Sequence, residues 1–234
     1  MLNNELEYRS DKEVFLPLPH RLTNMVVEDA IRLRRSIRSY LKEPLTLEEL
    51  SMILWAAQGI TDVIEHKRAA PSAGATYPLV LYVVVGKNGV EDLEAGVYKY
   101  HVLRHSLVLH KPGDFRYEVS LAALGQECVR EAPADIVFVA VFERTTKRYG
   151  ERGMRYVFID VGHAAENIYL MATALGLGTV AVGAFMDEDV SEVLDLGLWE
   201  RPVYIMPVGR PSPEELSGNS FDTINRFILN HRGV

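Results

Sequence analysis

Arg34-Arg35-Ser36-Ile37-Arg38 sets three arginines and a serine within five residues of a chain whose formal net charge is −7. An arginine side chain presents a planar fork of donors that matches phosphate oxygens, and it keeps its charge at any working pH. A cationic knot in an acidic protein points to one small anionic ligand, not to polyanions in general. The alternative is a solvated helix end, where basic side chains meet the negative end of the helix dipole. Ser36 favours the ligand, because it adds a hydroxyl donor inside the fork. Arg210, in Gly209-Arg210-Pro211, follows the last predicted strand. If the fold brings it to the knot, the two sites would hold a phosphate monoester of about −1.5 to −2 charge.

The other chemistry-bearing stretches are less explicit. Pro71-Ser72-Ala73-Gly74-Ala75-Thr76-Tyr77-Pro78 has no charged side chain, so only backbone groups and hydroxyls could act there. Its small residues would let backbone amides approach a flat ligand; taken alone, an ordinary turn is the favoured reading. Gly176-Leu177-Gly178 precedes a predicted strand and follows a helix. A dinucleotide fingerprint needs the opposite order and a third glycine, so these glycines are read as a helix end. Gly183-Ala184 closes that strand and would leave room for a ring against the backbone. Tyr149 could exchange a proton with a substrate, or simply pack on a solvated loop. The histidines show no paired metal spacing, and no metal is expected. Cys128 is the single cysteine, which excludes an intramolecular disulfide and is read as buried packing.

These residues need elements to hold them. The 234-residue chain is long enough for a large core, and the negative charge argues against nucleic acid as a partner. No apolar run reaches the roughly 20 residues that span a bilayer, so no membrane association is expected. The opening segment lacks a basic region followed by an apolar one, so a cytoplasmic protein is expected. Helices are predicted from about Met25 to Leu33, from Thr46 to Gly59, over Tyr117–Arg130, Arg155–Leu175 and Glu188–Leu196, and late in the tail. Strands are predicted at Leu79–Val85, Asp135–Phe142, Thr179–Ala184 and Val203–Val208, with a hairpin over Gly96–Tyr100 and Ser106–His110. Residues 1–23 read as an irregular arm, 24–211 as the domain and 212–234 as a tail. The fold class is α+β, because a hairpin interrupts the strand–helix alternation.

In order, RRSIRSY, PLTLEELSMILWAAQGI, PSAGATYP, GVYKY, RYGERGMRY, GHAAENIYLMATALGLG, VAVGAF and PVGRP resemble the nitroreductase superfamily. Within it they most resemble the SagB-type dehydrogenase branch, which includes oxidases of thiazole and oxazole peptide biosynthesis. The resemblance implies a mostly antiparallel sheet flanked by helices, in an intertwined homodimer with FMN at each subunit interface. It places Arg34, Arg35 and Ser36 on the phosphate and ribityl chain, Arg38 near the pyrimidine edge of the flavin, and Arg210 on the phosphate. Ser72, Ala73, Gly74 and Ala75 would come from the partner subunit; Gly183 and Ala184 would offer amides toward the reactive nitrogen. The implied activity is hydride transfer from NAD(P)H through FMN to an electron-poor acceptor such as a nitroaromatic or quinone. The alternatives are azoline oxidation on a modified peptide and FMN binding without turnover. The azoline oxidases have a Lys-Tyr pair where this chain has Arg148-Tyr149, and arginine is a poor proton acceptor.

Overall fold

A computed structural model describes residues 12–216, 218 and 220–232. Seven strands form one sheet: β1 (Glu13–Phe15), β2 (Leu79–Val85), β3 (Gly96–His101), β4 (Ser106–Pro112), β5 (Ala134–Ala140), β6 (Gly178–Thr179) and β7 (Arg201–Gly209). Their order is β1-β4-β3-β2-β5-β7-β6, and every paired neighbour is antiparallel. Among the described residues, eight α-helices accompany it: α1 (Val27–Leu33), α2 (Leu47–Gln58), α3 (Arg116–Ala122), α4 (Glu127–Glu131), α5 (Glu143–Tyr149), α6 (Arg152–Ala174), α7 (Asp187–Leu194) and α8 (Phe221–Asn230). The α+β expectation and its largely antiparallel sheet are met.

Both faces of the sheet are covered, as the continuous apolar runs of β2 and β5 require. Side chains alternate along β5. Ile136 and Phe138 join a core with Leu50, Ile53 and Leu54 of α2 and Val161, Ala165 and Ile168 of α6. Val137 and Val139 point the other way, toward Val119 of α3, Val129 of α4 and Val190 and Leu194 of α7. The start of α2 is locally encoded. Thr46 accepts from the Glu49 N–H at 3.1 Å, and the Glu49 carboxylate accepts from the Thr46 N–H at 2.8 Å. That reciprocal box satisfies two of the helix's orphan donors.

Four expectations change. The N-terminal arm is not wholly irregular: Glu13–Phe15 pairs with β4, and Leu16 N–H reaches the His105 carbonyl at 3.0 Å. The rest of that arm, residues 1–11, lies outside the described residues. The single helix predicted over Tyr117–Arg130 is two, because Leu124 and Gly125 take φ of 60° and 75° and end α3. The strand predicted over Thr179–Ala184 is only Gly178–Thr179, with one further bridge from Val182 to Ile205. Tyr149 ends a helix, α5, where a loop was expected.

Candidate functional site

The arginine knot leaves α1 and runs against the short β6. Ile37 N–H donates to the Thr179 carbonyl at 2.9 Å, and Ser36 bridges Thr179 in parallel. The approach is close enough to demand a glycine: a Cβ on Gly178 would sit 2.6 Å from the Ile37 side chain. Arg34 lies over the Tyr169 ring, 5.2 Å from its centroid. The Tyr169 hydroxyl receives the Ala181 N–H at 2.8 Å and shares a hydrogen bond with Ser36 Oγ at 3.3 Å. Arg35 folds back on the end of α1, donating to the carbonyls of Arg32 and Arg34 at 2.9 and 2.7 Å. Arg38 is exposed; its Nη1 donates to the Ser36 carbonyl at 3.5 Å, and its backbone N–H donates to Glu215 Oε1 at 3.2 Å. Among the described residues, none of Arg34, Arg35 and Arg38 forms an ion pair with a carboxylate. Of the three, Arg34 lies over Tyr169, whose hydroxyl bonds Ser36, and a guanidinium without a carboxylate partner there is available to an anion.

Beyond Val182 the backbone turns outward. Gly183 and Ala184 are exposed, and their N–H groups find no acceptor among the described residues. The Ala184 carbonyl is held by Gln126 Nε2 at 3.2 Å. Ser36, Tyr169 and Ala181 therefore form one continuous surface with two free backbone donors at its edge.

Arg210 meets the segment that follows the knot through its backbone: Leu41 N–H donates to its carbonyl at 2.9 Å. Its guanidinium reaches Glu49 at 3.0 Å and Glu43 at 3.2 Å. It braces the capped start of α2, and no contact of its side chain is shared with Arg34, Arg35 or Arg38 among the described residues.

The second group of expected residues sits elsewhere in the same chain. Ser72 Oγ accepts from the Tyr77 N–H at 3.0 Å, and Ala75 N–H closes a turn onto the Ser72 carbonyl at 3.0 Å. Gly74, Ala75 and Tyr77 take φ of 60°, 53° and 45°. A run of left-handed residues, two of them not glycine, is costly and is held here by its surroundings. Arg148 Nη1 donates to the Gly74 carbonyl at 3.0 Å, and Thr76 Oγ1 meets Thr145 Oγ1 at 2.8 Å. Tyr149 packs edge-on against Tyr156 with ring centroids 5.1 Å apart. Beneath the loop, Asp160 of α6 accepts from the Ala73 N–H at 3.4 Å, and its other oxygen is buried with no hydrogen-bond partner among the described residues. Burial pushes that carboxyl up, opposed by the Ser72 hydroxyl, the Ala73 N–H and His163.

A methyl group on Gly74 would approach the Tyr149 hydroxyl to 2.3 Å from a backbone already at φ 60°. Gly74→Ala should therefore lower the unfolding midpoint by about 1–2 kcal/mol worth of stability. Tyr149→Phe in the same chain, by removing the crowded oxygen, should restore part of it. A single variant with the wild-type midpoint would contradict this packing.

The two groups face apart. Asp160 and Tyr169 lie on α6, nine residues apart. At about 100° and 1.5 Å per residue, that places them on opposite sides of the helix and roughly 13 Å along it. The two groups therefore do not meet within one chain. Sequence pattern pointed to Arg34, Arg35, Ser36, Arg38, Ser72–Ala75, Tyr149, Gly183, Ala184 and Arg210, and not to Tyr169, Asp160 and Gln126, which contact them. Tyr169 had a signal, a polar-tipped residue beside Ile168 on the long apolar helix, but its partners are remote in sequence.

Residues 31–210 match the family model described as the nitroreductase family, and the chain belongs to that family. A protein of Methanocaldococcus jannaschii named as a nitroreductase is 52% identical over 184 residues, covering 79% of this chain and 90% of that protein. The trifolitoxin-processing protein TfxB of Rhizobium leguminosarum is 33% identical over 67% of this chain and 44% of its own length. An FMN reductase [NAD(P)H] of Bacillus subtilis is 26% identical over 76% of this chain and 63% of its own length. Among solved structures, a nitroreductase of Ralstonia eutropha superposes with a TM-score of 0.76 at 31% identity, covering 87% of this chain and 91% of that one. The peptide-processing relative agrees with the SagB-type resemblance.

Proposed function

We propose that this protein is an FMN-dependent oxidoreductase that takes hydride from NAD(P)H and passes it to an electron-poor acceptor such as a nitroaromatic or quinone. The observation that carries the reading is the set of arginines beside Ser36 whose guanidinium groups form no ion pair among the described residues, with the Gly183 and Ala184 N–H groups that find no acceptor there. Bound FMN would supply the two-electron chemistry; the protein contributes position and charge. Arg34, Arg35 and Ser36 would hold the phosphate end. Arg38, exposed beyond them, would set a fixed positive charge near the pyrimidine edge, where negative charge gathers on reduction. Gly183 and Ala184 would donate toward the reactive nitrogen. Arg210 would join the phosphate through Nη1, its Nε and Nη2 staying on Glu43 and Glu49.

The homodimer belongs to the same proposal. Ser72, Ala73, Gly74 and Ala75 would pass along the flavin bound by the partner subunit, which is how half-sites on opposite sides of α6 become one site. Tyr149, anchored beside Gly74, would enter with that loop and exchange a proton with the substrate. The exposed α8 helix would pack on the partner.

A second reading, oxidation of an azoline on a modified peptide, is favoured by the similarity to TfxB. Arg148 argues against it, since it is engaged with the Gly74 carbonyl and cannot accept a proton. The test is the absorption spectrum of the purified protein without air, before and after NADH or NADPH. A yellow protein bleached by either nucleotide supports the proposal. A yellow protein bleached only by an azoline peptide selects the second reading. A flavin that no donor reduces, or a protein colourless after incubation with FMN, overturns both.

A further inference from the structure

We infer that Tyr169 is the positioning residue of the anion site: its ring carries the Arg34 guanidinium, and its hydroxyl fixes which way the Ser36 hydroxyl points. The inference rests on the proposed reading, in which that anion is the FMN phosphate. Three segments meet at this one side chain. The exit of α1 supplies Arg34 and Ser36, the rigid α6 supplies Tyr169 itself, and the backbone after β6 supplies Ala181.

The Ala181 N–H can only donate, so at 2.8 Å the Tyr169 oxygen is an acceptor. Its own proton is then available to Ser36 Oγ, 3.3 Å away. With that bond accepted, Ser36 turns its own hydroxyl proton outward as a donor, the polarity an anion needs. The backbone thus orients Tyr169, and Tyr169 orients Ser36. The ring adds a second function. Arg34 has no carboxylate to hold it among the described residues, yet its guanidinium lies 5.2 Å from the ring centroid. A cation–π contact of this kind restrains the guanidinium without neutralising its charge. An aspartate or glutamate in the same place would hold Arg34 equally well and would repel the phosphate.

The experiment compares binding of FMN and riboflavin to the full-length chain freed of flavin, because the two ligands differ only by the phosphate. Wild-type protein should prefer FMN. Tyr169→Leu, lacking ring and hydroxyl, should lose about tenfold or more of that preference. Tyr169→Phe keeps the ring and should lose less, about threefold. Arg34→Ala is the reference that reads the phosphate hold itself. If Arg34→Ala abolishes the preference while both Tyr169 variants keep it, the role of Tyr169 is refuted and the site stands. Equal weakening of FMN and riboflavin in the Tyr169 variants also refutes it, since a general structural part would do that. If wild type and Arg34→Ala bind the two ligands alike, the phosphate reading itself falls. Should Tyr169→Leu not fold, the Phe variant alone decides: an unchanged FMN-to-riboflavin ratio overturns the inference.

Discussion

Arg34→Ala is expected to lower FMN affinity roughly ten- to hundredfold while leaving the unfolding midpoint unchanged. The affinity loss follows from removing a charge-assisted hydrogen bond, which contributes about 1.5–3 kcal/mol. The unchanged midpoint follows from what Arg34 touches. Its side chain pairs with no carboxylate among the described residues and covers only the Tyr169 ring, so its loss orphans no buried charge. Arg210 is the instructive contrast. It holds Glu49, a member of the α2 capping box, so its removal acts on the fold first. Equilibrium titration of FMN and thermal unfolding of the same variant separate the two effects. Wild-type affinity in Arg34→Ala, with the fold intact, would end the phosphate assignment.

Asp135→Asn is expected to stabilise the protein at neutral and mildly alkaline pH and to remove a slope from its pH–stability curve. Asp135 is completely buried in β5, and neither carboxylate oxygen has a hydrogen-bond partner among the described residues. In register it lies between Val84 of β2 and Pro207 of β7. Burial drives its carboxyl well above the usual range; the Arg116 guanidinium opposes this in part and Asp114 adds to it. The sign of the effect is set by which state holds the proton. Below the ordinary carboxylate pKa, near 3.9, the group is protonated folded and unfolded, and the full stability is present. As pH rises, the unfolded chain ionises while the folded one keeps its proton, so stability falls until the folded pKa is passed. Asparagine cannot ionise and lacks this loss. The gain in Tm should therefore appear above about pH 5 and grow with pH, at about 2–4 °C per kcal/mol for a chain of this size. Parallel curves for the two proteins from pH 4 to pH 8 would show that Asp135 ionises freely, against its burial.

The elements that could be read from the chain share a physical origin. Thr46 and Glu49 mark the start of α2 because their bonds close within one turn, inside the reach of a local motif. The apolar runs of β2 and β5 and the stripe of α6 are visible because burial imposes a period on neighbouring residues. The arginine knot was legible for a similar reason: charge density is a property of adjacent positions. Where two segments compete, local pattern misleads. Tyr117–Arg130 has the composition of one helix, and a left-handed pair at Leu124 and Gly125 divides it.

What tertiary structure alone decided was partnership across the chain. Nothing near Glu13 announces β4, nothing near Arg210 announces Glu49, and Ser36 and Tyr169 are 133 positions apart. The separation of Ser72–Ala75 from Arg34–Arg38 is likewise a matter of which side of α6 each packs against. A sequence determines short-range bonds through the spacing of residues; which distant groups share a bond depends on how the covered sheet folds the chain back on itself, and that spacing carries no record of it.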